Sequence, residues 1–496
     1  MIFRKCAQKP AFQALNAFVN SKYCIAALAF LTLCSNVFGA ELLIYTVVFL
    51  FGVYFVLFGR DLLPLAPAVM LMYVSPSVHN NPANNPDSIF YPANGLWLII
   101  AYLIVFFTLV IVRICLRGGI KKFFAQKRAF ALALLLLGAT FLLGGLGSEY
   151  YAPHFILNIR YGALVFISLF VVYYILAATV DFKNVPKEYF AWCGVFLAIT
   201  VSLEVLAVYL ANGVIGINGK IHRLNIYTGW GVYNNMACMI VMGIPSAFYL
   251  AAIRKRGYLY NLLATALYIA VIFSNSRNGM LMGLVVYAVS ALCLLIARPY
   301  KWKETFLLFG LYAAVLIGLL AFDWNGIAML FSEIATIDFD DAGRIPDYIE
   351  GLEQFLDKPL FGNGFFSCTA FKWGEIAEQM TFLPKRWHNT YVQLLASCGL
   401  AGFVAYALHR FQTVKTMLKR RDIEAVFIGL SIFSLALLSL LDCHFFNIGP
   451  GLSYSVYLLF LERSAGENEL HEAIKNRKKL LRRGKERKRE VGYGSR

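Results

Sequence analysis

The sequence predicts an all-α bundle of membrane-spanning helices. Hydrophobic residues make up 59% of the 496 positions, and charged residues make up only 15%. Soluble domains contain about 45 to 50% apolar residues and about 25% charged residues. Apolar runs of roughly 17 to 22 residues recur from Tyr23 to Leu461, and each can cross a hydrocarbon core about 30 Å thick. Because the runs are unbroken, they do not fit the alternating pattern of a barrel strand.

The apolar runs divide into 14 predicted spans, or 12 if two short runs near Val69 and Val456 are left out. The first run follows basic residues, as in a signal peptide, but it continues into a second run, so we expect a retained helix. We predict transmembrane helices 1 to 11 in residues 1–322, a large extracytoplasmic loop in 323–388, C-terminal transmembrane helices in 389–461 and a basic cytoplasmic tail in 462–496.

The distribution of basic residues predicts the orientation. With the N-terminus inside, 36 of the 45 Lys and Arg residues, Arg410 among them, fall in cytoplasmic segments and nine fall outside. Both termini are therefore expected to be cytoplasmic. The net charge of +17 then reflects topology and contact with anionic lipid headgroups. For the run Lys475 to Arg489 we expect a solvated tail, with a helix on the membrane surface as the alternative, and no nucleic-acid partner.

The large predicted loop contains its own helix signal. Apolar residues recur there at helical spacing: Tyr348, Ile349, Leu352, Phe355 and Leu356. Pro346 suits a first helical turn, and Lys358-Pro359 predicts the end of the helix. We expect an amphipathic helix that lies against the outer membrane surface or against the bundle.

Four residues stand out because they lie in predicted outside loops of a chain that otherwise keeps its basic residues inside: Arg223, Arg277, Arg344 and His388. The last three lie near predicted helix N-termini, where free N–H groups and the helix dipole favour an anion. Arginine adds a planar fork that suits phosphate oxygens, and histidine can act as a base near neutral pH. The alternative is that each arginine merely pairs with a lipid phosphate at the interface.

Glu204 is the one acid deep inside a clear apolar run. An intramembrane acid is a functional candidate by default, although a structural hydrogen bond or an arginine partner would also explain it. The other outside histidines have a weaker context: His79, His154, His222 and His444.

No metal or disulfide framework is expected. Asp338, Asp340 and Asp341 are close in sequence and lack a histidine, so a solvated approach to the helix is favoured over a metal site. The ten cysteines contain no C-x-x-C pair and lie mostly in or beside apolar runs, where cysteine behaves as a small hydrophobe.

Several short patterns follow one another in the chain. They are Arg223 with the turn Tyr233-Asn234-Asn235, Ser274-Asn275-Ser276-Arg277-Asn278-Gly279, Gly343-Arg344 leading into Lys358-Pro359-Leu360-Phe361-Gly362-Asn363-Gly364, and His388-Asn389-Thr390-Tyr391 with Gly399 and Gly402. In order, spacing and sidedness, the region from Arg223 to Tyr406 resembles the O-antigen ligase and O-antigen polymerase superfamily.

The resemblance implies transfer of a glycan from undecaprenyl pyrophosphate to a glycan or lipid-glycan acceptor. The reaction would take place on the outer face of the bacterial cytoplasmic membrane, without metal, cofactor or nucleotide sugar. Arg223, Arg277 and Arg344 would bind the pyrophosphate, and His388 would assist the acceptor hydroxyl. We place three more residues in the substrate-binding set: Asn235, Asn389 and Glu204.

Two questions stay open at this point. The extra predicted spans and the long basic tail depart from the commoner ligase size, so ligase and polymerase are both retained. The rival function is a transporter or flippase of a lipid-linked sugar, which predicts polar residues at the midplane and broken helices in related halves. The sequence shows no internal repeat, which argues against a transporter built from inverted repeats. A purely structural membrane scaffold is the least favoured alternative.

Overall fold

The computed structural model describes residues 10–59, 61–71, 92–117, 119–124, 128–149, 151–152, 154–182, 185–212, 226–298, 301–322, 344–366, 386–420 and 422–462. Almost all of them are helical, which confirms the predicted all-α fold. In this part of the chain seven helices are long and apolar enough to cross a membrane, or eight if a bent pair near the N-terminus forms one span. The chain is thus a multi-pass membrane protein, and the total of 12 to 14 spans stays a prediction.

The N-terminal part of the bundle consists of helices that end before a short hairpin. They are α1 (Pro10–Val19), α2 (Lys22–Val37), α3 (Glu41–Phe58), α4 (Leu65–Leu71), α5 (Trp97–Arg117), α6 (Gly119–Phe124), α7 (Ala131–Leu143), α8 (Phe155–Phe166), α9 (Val172–Thr179) and α10 (Tyr189–Ala211). A π-helical turn, Ile167–Val171, joins α8 to α9, and another, Pro92–Leu96, precedes α5.

The C-terminal part begins with an antiparallel hairpin in which Thr228 pairs with Gly231. Its elements are β1 (Tyr227–Thr228), β2 (Gly231–Val232), α11 (Tyr233–Ile253), α12 (Gly257–Phe273), α13 (Arg277–Ala297), α14 (Trp302–Phe322), α15 (Arg344–Asp357), α16 (Thr390–Arg420), α17 (Ile423–Leu438) and α18 (Ile448–Glu462). A 3₁₀ turn, His444–Phe446, lies between α17 and α18.

Helix α11 is the centre of the bundle. Every residue from Met236 to Ala252 is buried, and the helix packs against α10, α12, α13 and α17. By contrast, α5 exposes large apolar side chains such as Trp97 and Ile104. Exposed apolar side chains on peripheral helices are the surface expected of a bundle in lipid.

Helix α16 is broken at Gly399, where φ is +62° and ψ is −160°. In one continuous helix, Tyr391 and Tyr406 would lie about 22 Å apart, yet their ring centroids are 5.8 Å apart. The chain therefore reverses at Gly399. Residues 390–398 form a short re-entrant helix, and residues 400–420 form the span.

A neighbouring segment supplies the hydrogen bonds that this break leaves open. The N–H groups of Asn363 and Gly364 donate to the carbonyls of Ala396 and Ser397, at 2.8 and 3.1 Å. On the other side of the break, the N–H of Leu400 donates to the carbonyl of Pro359 at 2.8 Å. The residues of 358–364 thus complete the ends of both helices, as a buried break in a helix requires.

The amphipathic helix predicted in the large loop is confirmed as α15. It packs tightly against the bundle at Gly351, where an added Cβ would lie 2.4 Å from Val392 and 3.1 Å from Trp387. Only part of the predicted apolar face packs there, because Ile349, Leu352 and Leu356 are exposed. Helix α15 therefore rests on the re-entrant helix and keeps a second apolar stripe on its surface.

Candidate functional site

The loop between α17 and α18 joins several helix ends at one end of the bundle. The N–H of Thr390 donates to the carbonyl of Ser439 at 3.0 Å. The side-chain amide of Asn389 donates to the carbonyl of Leu440 at 2.9 Å. The amide of Asn278 donates to the carbonyl of Leu438 at 2.8 Å. The start of α13, the start of α16 and the end of α17 consequently meet at this loop.

Asp442 is the buried acid at the centre of this meeting point. Its Oδ2 accepts a hydrogen bond from Asn234 Nδ2 at 2.9 Å, and its Oδ1 accepts one from the Cys443 N–H at 2.7 Å. Its Oδ1 also lies 3.6 Å from His388 Nδ1, and its Oδ2 lies 3.8 Å from His444 Nε2. Both oxygens of the carboxylate thus face donors or imidazole rings.

The surroundings of Asp442 favour its charged form. Burial by itself raises the pKa of this carboxyl, but the interactions with the His444 and His388 imidazoles and the hydrogen bond from the Cys443 N–H outweigh burial and hold the pKa well below its usual range. Asp442 is therefore ionised at neutral pH. A buried negative charge between two histidines can orient an imidazole and stabilise a proton that it takes up.

His388 is the more accessible residue of the pair formed by His388 and Asp442. Its side chain is 41% exposed, whereas that of Asp442 is 8% exposed. Its φ of +48° is a left-handed conformation that few non-glycine residues adopt, and Tyr348 of α15 holds it by donating from its hydroxyl to the His388 carbonyl at 3.2 Å. Nδ1 of this half-exposed ring is the nitrogen that faces Asp442.

Two arginines complete the charge distribution around the buried His444. Burial lowers the pKa of His444, and the positive charges of Arg386, His388 and Arg344 lower it further, while Asp442 acts in the opposite direction. Arg344 is the first residue of α15, as the helix signal predicts. The structure therefore brings the predicted pair Arg344 and His388 into one electrostatic neighbourhood.

Arg277 is the first residue of α13 and lies between two residues that tie this helix to the site. Ser276 caps the helix by accepting from the Gly279 N–H at 3.0 Å, and its hydroxyl donates to Asn234 Oδ1 at 2.7 Å. Asn234 in turn donates to Asp442. The backbone at Arg277 is thus fixed relative to the acid through two hydrogen bonds.

The two predicted asparagines serve the same framework. Asn389 Oδ1 accepts from the N–H groups of Tyr391 and Val392, at 2.8 and 3.2 Å, and so caps the re-entrant helix. Asn235 Oδ1 accepts from Asn447 Nδ2 at 2.7 Å and joins the start of α11 to the end of the 439–447 loop. Both side chains border the site, and their role towards a substrate stays a prediction.

Glu204 occupies a separate position from the Asp442 cluster. It is buried in α10, and its Oε1 accepts from Asn36 Nδ2 of α2 at 2.8 Å and from Trp230 Nε1 of the hairpin at 2.9 Å. The hairpin leads directly into α11 and Asn234. These contacts are those of a residue that positions the hairpin, and contact of Glu204 with a substrate stays a prediction.

Some of the predicted residues lie outside the described part of the chain. They are Arg223, Asp338, Asp340 and Asp341. Their roles therefore stay predictions from the sequence.

Asp442 is absent from the residues singled out in the sequence, Asn234 appears there only as part of the turn Tyr233-Asn234-Asn235, and His444 appears only among the histidines of weaker context. One signal was present in the sequence: Asp442 is the only Asp, Glu, Lys or Arg between Glu424 and Glu462. An isolated acid two residues from a histidine, at the end of an apolar run, marks a position where a charge is kept despite its cost in a membrane.

The arrangement can accept a proton and bind an anion. An imidazole that faces a carboxylate is an arrangement used for general base catalysis, and guanidinium groups nearby favour phosphate oxygens. The described residues include no group of three His, Cys, Asp or Glu side chains placed to hold a metal ion. The site thus combines an imidazole with fixed positive charge at one end of a membrane bundle.

Fold and site together define a multi-pass membrane protein with a polar site at one end of its helices. Residues 261–407 match the family model described as O-Antigen ligase. This match covers less than half of the chain, and it extends from α12 through Arg277, Arg344 and His388 into α16. The predicted resemblance to the O-antigen ligase superfamily is thereby confirmed over this segment. No curated protein that was compared with the chain matches it.

Proposed function

We propose that this protein transfers a glycan from undecaprenyl pyrophosphate to a sugar hydroxyl of an acceptor. The family supports a membrane glycan transferase of the O-antigen ligase type, with lipid-linked glycan substrates. The observation that carries the proposal is His388 against the Asp442 carboxylate, within the electrostatic reach of Arg344 and Arg386. The reaction would serve the synthesis of a surface polysaccharide.

In the proposed step, the acceptor oxygen attacks the anomeric carbon of the donor glycan. A new glycosidic C–O bond forms, the C–O bond to the pyrophosphate breaks, and the configuration inverts. His388 takes the acceptor proton, and the ionised Asp442 stabilises the resulting imidazolium. The pyrophosphate leaves with the bonding electrons, and Arg277 and Arg344 stabilise its growing charge, because preorganised cations act more strongly in a site that excludes water.

We place the site on the outer face of the bacterial cytoplasmic membrane, with both termini inside. Basic side chains at the opposite helix ends support this orientation. Arg254 forms an ion pair with Glu188 just after α11 ends, Arg298 follows α13, and Arg420 pairs with Asp422 at the end of α16. Such an accumulation of basic residues marks the cytoplasmic side.

The decisive experiment is a transfer assay with the purified full chain in lipid nanodiscs. A defined undecaprenyl-pyrophosphate glycan is supplied with candidate acceptors, and products are identified by mass spectrometry. A lengthened lipid-linked glycan would assign a polymerase, and transfer to a different acceptor would assign a ligase. The absence of any covalent product with every acceptor tested would contradict the transferase.

A flippase of a lipid-linked sugar is the second candidate. Two observations favour it: the broken helix at Gly399 and a charged residue, Arg410, in the middle of the span that follows. Proteoliposomes separate the two functions, because a flippase moves the labelled donor across the bilayer unchanged, whereas a transferase converts it.

We expect Arg277→Lys to lower the transfer rate by about 100-fold while the protein folds normally. Lysine keeps the charge but cannot reproduce the two parallel hydrogen bonds that a guanidinium offers to phosphate. Arg298→Lys, at the other end of α13, is the matched control and should leave the rate unchanged. Near-normal turnover of Arg277→Lys would reduce Arg277 to an anchor for lipid headgroups.

A further inference from the structure

Arg410 lies in the middle of the span formed by residues 400–420, about 15 Å from either end of that helix. The distribution of basic residues predicts a cytoplasmic segment here, and the structure shows that Arg410 belongs to a helix. The helix continues through the basic residues Arg410, Lys415 and Lys419 to Arg420. An arginine at this depth is costly in a membrane and is a functional candidate by default.

The immediate contacts of Arg410 are tyrosines and a histidine. Its Nη1 donates to the Tyr454 hydroxyl at 3.1 Å, and the same hydroxyl lies 2.8 Å from His409 Nε2. Because arginine can only donate, the Tyr454 oxygen accepts from Arg410 and its proton goes to His409. The guanidinium carbon also lies 5.7 Å from the centre of the Tyr406 ring.

These contacts leave the charge of Arg410 unbalanced. Among the described residues no carboxylate forms an ion pair with it, whereas Arg420 on the same helix pairs with both Asp422 and Glu424. A buried charge without a counter-ion costs several kcal/mol. An anion from outside the described chain would remove that cost.

Arg410 lies between the candidate site and the lipid-facing surface. Its neighbour Tyr406 contacts Tyr391, which is three residues from His388. On the other side, Leu408 and Phe411 are exposed at 49% and 65%. A ligand that reaches Arg410 from the bilayer would thus approach the candidate site from the lipid-facing surface of α16.

We propose that Arg410 binds a phosphate of the lipid-linked donor on the membrane side of the candidate site. This inference rests on the proposed function and adds a cation that lies within the span rather than in an outer loop. The polyprenyl chain remains in the bilayer beside the exposed face of α16, while the planar guanidinium pairs with phosphate oxygens. Arg410 would then hold the donor from below while Arg277 and Arg344 hold it from the other side.

Binding of undecaprenyl pyrophosphate to the full chain, measured by native mass spectrometry with phosphatidylglycerol as the competing lipid, tests the proposal. We expect Arg410→Gln to weaken undecaprenyl pyrophosphate binding at least about 10-fold, as loss of a desolvated charge pair does, with little change for phosphatidylglycerol. Arg420→Gln is the matched control, since it removes a paired arginine from the same helix, and it should leave binding unchanged. Tyr454→Phe removes the hydroxyl contact but keeps the charge, so it should also bind the donor lipid.

Unchanged binding by Arg410→Gln, or an equal loss for both lipids, would overturn the assignment. If Arg410→Gln does not fold, Arg410→Lys is tested instead. Undecaprenyl pyrophosphate should then raise the melting temperature of Arg410→Lys by less than it raises that of the wild type. An equal rise for the two proteins would overturn the proposal. Binding needs no acceptor. If donor binding depends on Arg410 but no glycan is transferred, the result contradicts the proposed transferase function and leaves the binding site at Arg410 supported.

Discussion

Replacement of Asp442 by Asn is expected to lower the rate of glycan transfer by about 10²- to 10⁴-fold. The amide removes the negative charge that faces His388 at 3.6 Å, so the imidazolium formed during transfer loses its stabilising partner. It also places an N–H₂ group where Asn234 now donates to a carboxylate oxygen. Rates are measured with purified protein and a saturating acceptor.

The matched control for this variant is Asp422→Asn, because Asp422 lies at the opposite end of α17 and caps that helix. Its loss should reduce stability and leave the transfer rate per folded molecule nearly unchanged. If Asp442→Asn elutes as a folded protein and transfers glycan at the wild-type rate, Asp442 serves only the packing of the loop.

Replacement of His388 by Ala should remove about two to four orders of magnitude of transfer rate while donor binding persists, because a general base usually contributes that much. His388→Gln should be equally slow, since an amide can form a hydrogen bond but cannot take up the proton. Transfer rate and donor affinity are measured separately, so that lost chemistry is distinguished from lost binding.

His154→Gln provides the control for the histidine substitution, because His154 likewise lies just before a helix, at α8, and lies apart from the Asp442 contacts described above. We expect it to transfer at the normal rate. A rate for His388→Gln close to that of the wild type would show that His388 positions the substrate at most.

The sequence was sufficient for the fold class and for the positions of several helix starts. Lipid leaves helices as the only structure for long apolar runs, and this physical rule made the bundle predictable. Ser276 and Asn389 are side chains that favour helix N-caps, so the helix starts next to Arg277 and His388 could be placed from local pattern alone.

The centre of the site could not be placed in the same way. Asp442 meets Asn234 across 208 positions of the sequence, and no local pattern specifies such a pairing. The helix that carries Arg410 could not be placed for a related reason: hydropathy does not show that the chain reverses at Gly399, which changes where the following span begins. Long-range packing decides both features.

The reversal at Gly399 has a consequence for assembly during synthesis. The carbonyls of Ala396 and Ser397 are paired by N–H groups of Asn363 and Gly364, which leave the ribosome more than 30 residues earlier. The earlier segment must therefore be in place before the re-entrant helix can settle, since unpaired carbonyls are not tolerated in lipid. The re-entrant helix that follows His388 thus depends for its final position on a segment that is synthesised before it.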